Sequence, residues 1–297
     1  MSTVLSAGLA VHDLVFRVPA IPSGEGKAFA SSVEETAGGP AAVAAIAAAR
    51  LGSHVRLVAM VGDDPRGDAL LADLAGEGVD VGSVFRSPTA GTPVSAILVD
   101  DAGGRRIINH TSPGLHDGEW DVPDLTGVDA VLVDSRWPSM GARILEAARG
   151  AGIAGILDLD VTPDPDAVRP LVAAASHVIA SAAALRAHTG IQGVAEALLA
   201  FDGVGEVAVT DGAEPVRYRR NGTIEEVPPV PTSVVNTLGA GDVFHGGAAH
   251  AMAEGRQFEE ALAIGTAAAA YACAHGGGRV GAPTTDQLDG WRKDQWN

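Results

Sequence analysis

Short apolar runs rich in valine, isoleucine and leucine alternate along the chain with longer segments dominated by alanine. The short runs, at 3–9, 54–62, 129–135, 152–160, 176–181 and 205–212, have the length and β-branched content of buried strands. The alanine-rich segments, at 39–52, 66–77, 138–151, 192–201, 240–254 and 258–275, carry helix-type spacing. Such alternation predicts βαβ units and therefore an α/β fold, a mostly parallel sheet flanked by helices. Two stretches interrupt it. Residues 14–39 and 92–112 hold β-type runs with no helix between them, and the second pair flanks the hairpin turn signal "DAGG". Four strands without crossovers cannot enter a parallel sheet, so they are expected to form a small antiparallel sheet beside the main one, a lid over it. No repeat or low-complexity linker divides the chain. The expectation is one domain over 1–297, with lid segments at about 14–37 and 92–112.

Ligands of open α/β sheets bind beyond the carboxyl ends of the strands. Asp13, Ser135, Arg136, Asp158, Asp160 and the run Thr210-Asp211-Gly212 all fall at such ends. A further feature is "VVNTLGAGDVFHGGAAHAMAEG" at 234–255, which sets Asp242 directly after Gly239-Ala240-Gly241 at the start of an alanine-rich helix. A carboxylate there favours a helix start in its own right. A glycine-rich turn entering a helix also bares several N–H groups to a phosphate-like anion. Beside such an anion a carboxylate is repelled unless it has work to do, and taking the proton of an attacking hydroxyl is such work.

Composition narrows the partners. With 37 acidic and 20 basic residues the formal charge is −17, which opposes binding to nucleic acid or an anionic membrane. The single cysteine, Cys273, excludes an intrachain disulfide and a cysteine-cluster metal site, and fits a reducing, cytoplasmic compartment. The N-terminal stretch carries His12, Asp13 and Arg17 where a signal peptide needs an unbroken apolar run, and no run reaches the length of a membrane span. Eighteen of the 20 basic residues are arginine, so the lysine at Lys27 stands out; the other is Lys293. There is no G-x-x-x-x-G-K-[ST], no G-x-G-x-x-G at the first helix, no H-E-x-x-H and no G-x-S-x-G. P-loop NTPases, common dinucleotide enzymes, zincins and α/β-hydrolases are disfavoured.

The segment 38–80, opening "GGPAAVAAIAAAR", and the segment 236–247, "NTLGAGDVFHGG", together resemble the ribokinase-like, PfkB-type carbohydrate kinases over nearly the whole chain. The resemblance implies a Rossmann-like domain with a β-sheet lid, ATP and Mg²⁺ as donor and ion, a small-molecule sugar as acceptor, and a homodimer formed through the lid. Position by position it implies Asp242 as general base and Gly239, Ala240 and Gly241 as the anion hole. It implies Asp13 as a ligand of sugar hydroxyls, Gly38 and Gly39 as the pair that lets backbone approach the sugar, and Thr210 and Gly212 on the nucleotide side. Two positions depart from the family pattern. Val43 stands where many members have an asparagine, and Ser181-Ala182-Ala183-Ala184 stands where a metal-related N-x-x-E is expected, which leaves the metal ligands unassigned and turns attention to Asp158 or Asp160.

Five segments, "GGPAA", "GEGKAFA", "IINHT", "DSRWP" and "GDVFHGG", further resemble the sulfofructose kinases. That branch implies a sulfonate read by Lys27, Asn109 and Arg136, and transfer of the ATP γ-phosphoryl group to 6-deoxy-6-sulfofructose, giving its 1-phosphate. A point charge, a neutral amide donor and a planar fork suit a fixed monoanion with three acceptor oxygens. The alternatives are a kinase for a phosphorylated or neutral ketose, or a sugar or nucleotide sensor that does not turn over.

Overall fold

The computed structural model describes residues 1–102 and 104–295; Gly103, in the turn expected at 101–104, lies outside them. In chain order the strands are β1 (Thr3–Ala7), β2 (Val11–Val18), β3 (Ser32–Gly38), β4 (His54–Val58), β5 (Met60–Gly62), β6 (Val79–Asp80), β7 (Phe85–Ser87) and β8 (Val94–Asp100). They continue as β9 (Arg105–His110), β10 (Ala130–Asp134), β11 (Ala154–Leu159), β12 (His177–Ser181), β13 (Glu206–Thr210), β14 (Val216–Arg220) and β15 (Thr223–Val227). The helices are α1 (Pro40–Arg50), α2 (Pro65–Gly76), α3 (Pro138–Gly150), α4 (Arg169–Ala174), α5 (Ala182–Thr189), α6 (Val194–Ala200), α7 (Ala240–Ala253), α8 (Phe258–Ala274), α9 (Gly278–Gly281) and α10 (Thr285–Gln295).

The main sheet runs β15-β14-β13-β12-β11-β10-β1-β4-β6. Its seven strands from β13 to β6 pair in parallel, and β14 and β15 add an antiparallel hairpin at one edge. Helices cover both faces, which is why β10 reads Ala-Val-Leu-Val-Asp with every residue buried and no alternation. On one face α1, α7 and α8 pack together. Residues 41 to 48 of α1 are all buried, so this helix is apolar all round because it is wedged between the sheet and α7. Among the described residues no helix is long and apolar enough to cross a membrane.

The lid is a separate sheet in the order β3-β2-β8-β9. Each hairpin is antiparallel, β2 with β3 and β8 with β9, as expected from the sequence. The two hairpins meet through a parallel pairing of β2 with β8. The lid begins at Val11, so Asp13 does not end the first strand of the main sheet, as its place in the sequence implied; it is an internal residue of a lid strand.

Candidate active site

The register of the lid builds one wall of the site. Asp13 stands opposite Thr36 on one side and Ser95 on the other, and Ser95 stands opposite Asn109. Because side chains alternate faces along a strand, this row of four and the next, Glu34, Val15, Ile97 and Ile107, point the same way. All eight line a cleft of about 500 Å³ between the lid and the carboxyl ends of the main sheet. The Ser95 hydroxyl donates to Asn109 Oδ1 at 2.9 Å, which orients the Asn109 amide. Burial pushes the Asp13 carboxyl up to about 6, against the Ser95 hydroxyl and His12, which pull it down.

Gly38 and Gly39 form the joint between lid and helix α1. A Cβ at Gly38 would fall inside the Asp13 carboxylate, and one at Gly39, where φ is 94°, would lie 2.5 Å from the Leu9 carbonyl oxygen. The pair therefore gives the Asp13 side chain its place as well as exposing backbone. Val43, one turn into α1, lines the same cleft with an apolar face.

Opposite the lid lies the start of α7. Gly239 sits in the left-handed region, φ 66° and ψ 11°, and no side chain caps the helix. Helix α2 offers the contrast, since there Asp64 accepts from the Gly67 N–H. An uncapped first turn keeps the N–H groups of Gly241 and Asp242 without intrahelical partners; Asp242 lines the cleft, as Gly239 does, whereas Gly241 is exposed and is not among the lining residues. The N–H of Ala240 donates to the Thr237 carbonyl at 3.3 Å, so of the three positions expected to form an anion hole Ala240 has the least to offer. Asp242 lines the cleft with Asp13, Asn109, Arg136, Gly39 and Gly239. Its carboxyl is pushed up to about 7, chiefly by burial and then by Asp158; His245 pulls it down and Asp134 and Asp160 add to the rise.

The carboxyl ends of β10 and β11 supply that acidic surround. Asp134 is a structural carboxylate: it accepts from the N–H groups of Leu9, Ala41 and Arg136 and so ties β1, α1 and the β10–α3 turn together. Asp158 is buried, and its carboxyl is held well above the usual range by burial and by Asp134 and Asp160. His245 lies under the first turn of α7, with Nδ1–H donating to the Gly241 carbonyl at 2.7 Å and Nε2 3.4 Å from Asp158 Oδ1. His245 thus braces the first turn of α7, and its four-residue spacing from Gly241 is the signal in the sequence that marks this contact.

The remaining sequence-derived residues divide. Arg136 reaches the cleft, but its Nη2 pairs with Asp160 at 2.9 Å and its Nη1 donates to the Val161 carbonyl at 2.9 Å. Lys27 lies in the exposed β2–β3 connection and is not among the residues lining the cleft. Thr210 and Gly212 stand at the carboxyl end of β13, beyond β11 and β12 and outside this cleft. The sequence reading passed over Gly276-Gly277-Gly278 and Arg279, which complete the cleft wall. Arg279 binds Asp73, Glu77 and Thr36, anchoring that glycine loop to α2 and to the root of the lid.

A glycine-rich helix start with a raised carboxyl beside it, facing a lid, is a phosphoryl-transfer arrangement, and the sequence profile of the pfkB family carbohydrate kinases matches residues 1–285. The chain belongs to the pfkB family. A candidate ribokinase of known structure from Agrobacterium tumefaciens superimposes with a TM-score of 0.94 at 36% identity, covering 99% of this chain and 98% of the other. The ATP-dependent ribose-1-phosphate kinase of Halopiger xanaduensis is 28% identical over 305 residues, with both chains covered completely. The ribokinase of Bacillus subtilis is 27% identical, over 97% of this chain and 99% of its own. This pfkB protein is accordingly an ATP-dependent carbohydrate kinase, with Mg²⁺ as the partner ion of the nucleotide.

Proposed function

We propose that Asp242 is the general base of this kinase, that the acceptor sugar lies between Asp242 and the lid row Asp13–Ser95–Asn109, and that the sugar is an anionic ketose, 6-deoxy-6-sulfofructose, phosphorylated on its 1-hydroxyl. The observation that carries the reading is the convergence of Asp242, Asp13, Asn109 and Arg136 on one cleft from four separate parts of the chain. Asp13 accepts from sugar hydroxyls, and Asp242 takes the proton of the attacking one as the N–H groups of Gly239 and Gly241 hold the migrating phosphoryl oxygens. Thr210 and Gly212 serve the nucleotide beyond β13. Arg136 and the Asn109 amide meet the sulfonate, and Lys27 joins them when the β2–β3 connection folds inward.

The residues fit Mg²⁺ as an ion carried on the nucleotide. Among the described residues no group of three or more His, Cys, Asp or Glu converges to hold a metal, and Mg²⁺ commonly keeps most of its waters. When bound it neutralises charge on the phosphates. Of the two carboxylates considered for it, Asp158 is sealed against His245, whereas Asp160 is half exposed and accepts from Ser181 at 3.2 Å. Ser181 is the position where N-x-x-E was expected. Asp160, just past the end of β11, therefore supplies the carboxylate that the family pattern places at Ala184 in α5.

A second reading, a neutral ribose or fructose as acceptor, is favoured by one observation: two donors of Arg136 are already committed to Asp160 and Val161. Coupled ADP release separates the two on a panel of sulfofructose, fructose 6-phosphate, tagatose 6-phosphate, fructose and ribose. The sulfosugar is expected to give the highest kcat/KM, and Arg136→Ala to raise its KM more than that of any neutral sugar. Equal or better turnover of an uncharged sugar by the native enzyme refutes the sulfonate assignment.

The outer face of the lid supports a homodimer. Leu14, Phe16, Val33, Leu98 and Ile108 alternate with the cleft-facing residues, and Val33 and Ile108 are 58% and 62% exposed. Light scattering is expected to give twice the 29.9 kDa of one chain, and Ile108→Glu to halve that mass; a native monomer refutes the dimer. The single cysteine and the acidic balance support a cytoplasmic location.

A further inference from the structure

Thr36 stands opposite Asp13 in the pairing of β2 with β3, lines the same cleft and is partly buried there. Directly opposed residues of an antiparallel pair keep their Cβ atoms about 5 Å apart. A sugar held by Asp13 through one hydroxyl therefore brings a neighbouring oxygen of the same molecule within reach of Thr36. The two side chains complement each other: an ionised carboxylate only accepts, whereas a hydroxyl can donate.

What the Thr36 hydroxyl does is set from behind. Arg279 Nη1 donates to Thr36 Oγ1 at 2.8 Å. A hydroxyl has one proton and two acceptor sites, so with a guanidinium on one of those sites the proton is turned elsewhere. A cation at its back also strengthens the hydroxyl as a donor. The other hydroxyl of the row, on Ser95, already donates to Asn109 Oδ1. Thr36 is the hydroxyl left to serve the acceptor.

The guanidinium itself has little freedom. Its Nη1 also binds Asp73, and Nε and Nη2 donate to Glu77 Oε1 at 3.1 and 3.0 Å. Arg50, at the end of α1, binds the same Glu77 carboxylate and donates from Nη1 to the carbonyls of Arg279 and Ala282 at 2.7 and 2.9 Å. Asp73 in turn accepts from the N–H of Ala37, the residue after Thr36, at 2.8 Å. Two arginines and two carboxylates thus hold both the guanidinium and the strand that carries Thr36.

We infer that Thr36 is a further acceptor-binding residue, its hydroxyl donating to a sugar oxygen beside the one held by Asp13, and that Arg279 is the positioning residue that fixes the direction of that donation. The inference rests on the placement of the acceptor between Asp242 and the lid row proposed above, and is independent of the sulfonate.

Thr36→Val keeps the shape and the strand preference of the side chain and removes the hydroxyl. Dissociation constants are measured by calorimetry for sulfofructose, fructose 6-phosphate, fructose and ribose. Each of these sugars that binds the native enzyme is expected to bind Thr36→Val about tenfold more weakly, the loss expected when one partly buried hydrogen bond is removed. In the coupled assay the loss is expected in the acceptor KM, with the ATP KM within about twofold of native. Thr36→Ser, which returns a hydroxyl, is expected to recover most of the affinity; a residue that merely supported the lid would not follow the hydroxyl. Arg279→Lys replaces the fork with a point charge that cannot serve Thr36, Asp73 and Glu77 together. It is expected to weaken the same sugars about fivefold, and adding Thr36→Val to it to cost little more. Thermal melting shows whether each variant is folded, and the Thr36 variants carry the test alone if Arg279→Lys is not.

Native sugar affinity in Thr36→Val overturns the inference, as does equal weakening in Thr36→Val and Thr36→Ser. A loss confined to the sulfosugar overturns it as well, since Thr36 would then serve the sulfonate. Additive losses in the double variant overturn the positioning role of Arg279. Two controls separate the levels. If Arg136→Ala shows no preference for the sulfosugar while Thr36→Val weakens every sugar, only the sulfonate assignment has failed; if Asp13→Ala binds sugars like the native enzyme, the placement of the acceptor against the lid row has failed.

Discussion

Asp242→Asn is expected to lower kcat about 10³- to 10⁴-fold while acceptor and nucleotide affinities change little, the range in which positioned acid–base groups contribute. That corresponds to roughly 4–5.5 kcal/mol of transition-state stabilisation at 1.36 kcal/mol per tenfold. An asparagine keeps the shape and the contact with the acceptor hydroxyl, so the loss isolates proton acceptance. The electrostatics supply a second readout. Burial and the neighbouring Asp158 push the Asp242 carboxyl up to about 7. Below that pH the group holds its own proton and cannot take another. In the native enzyme log(kcat/KM) should therefore rise with a slope of one as pH approaches about 7, then level off, and this limb should vanish in Asp242→Asn. A variant that retained a tenth of native kcat, or kept the same acid limb, would remove Asp242 from the chemistry.

Gly38→Ala is expected to lower kcat/KM for the sugar by about 100-fold, a large effect for one methyl group. The added Cβ would occupy the volume of the Asp13 carboxylate, so Asp13 must leave its place in the lid row. Displacement of a positioning group by about an ångström is enough for a loss of that size. The partner variant Asp13→Ala should show a similar loss, and Gly38→Ala with Asp13→Ala should be little worse than either alone, because both act through one carboxylate. Nucleotide KM should hold in all three. Additive losses in the double variant would mean that Gly38 matters for a reason other than Asp13.

The Gly38 case also shows why a sequence reading stops where it does. The glycine pair was visible as a motif, and its expected role was close approach of backbone to sugar. That the first of the two makes room for a side chain 25 residues away could not be read, because it depends on the register of β2 against β3. Lys27 illustrates a second limit. Its rarity and its place between two lid strands invited a role beside Arg136, yet a 13-residue connection between β2 and β3 leaves its position to loop packing, which periodicity does not encode. The hairpin of β14 and β15 was passed over because "VRYRR" and "TIEEV" carry charges on the exposed face of an edge, which dilutes a strand pattern.

Hydrophobic periodicity alone determined the parallel sheet, its alanine-rich helices and the separate lid, since burial on two faces, on one stripe or on alternating residues each imposes a period that the chain must carry. The local rule that an uncapped, glycine-led helix start binds anions marked Asp242 from a dozen residues. Only the tertiary structure decided which residues share the cleft. Asn109 reaches it through its strand pairing, Gly276 to Gly278 through the return of α8, and Asn236 through a hydrogen bond across 40 positions. Contacts of that kind leave no periodic trace, because they are set by distances in space between segments whose local preferences are silent about each other.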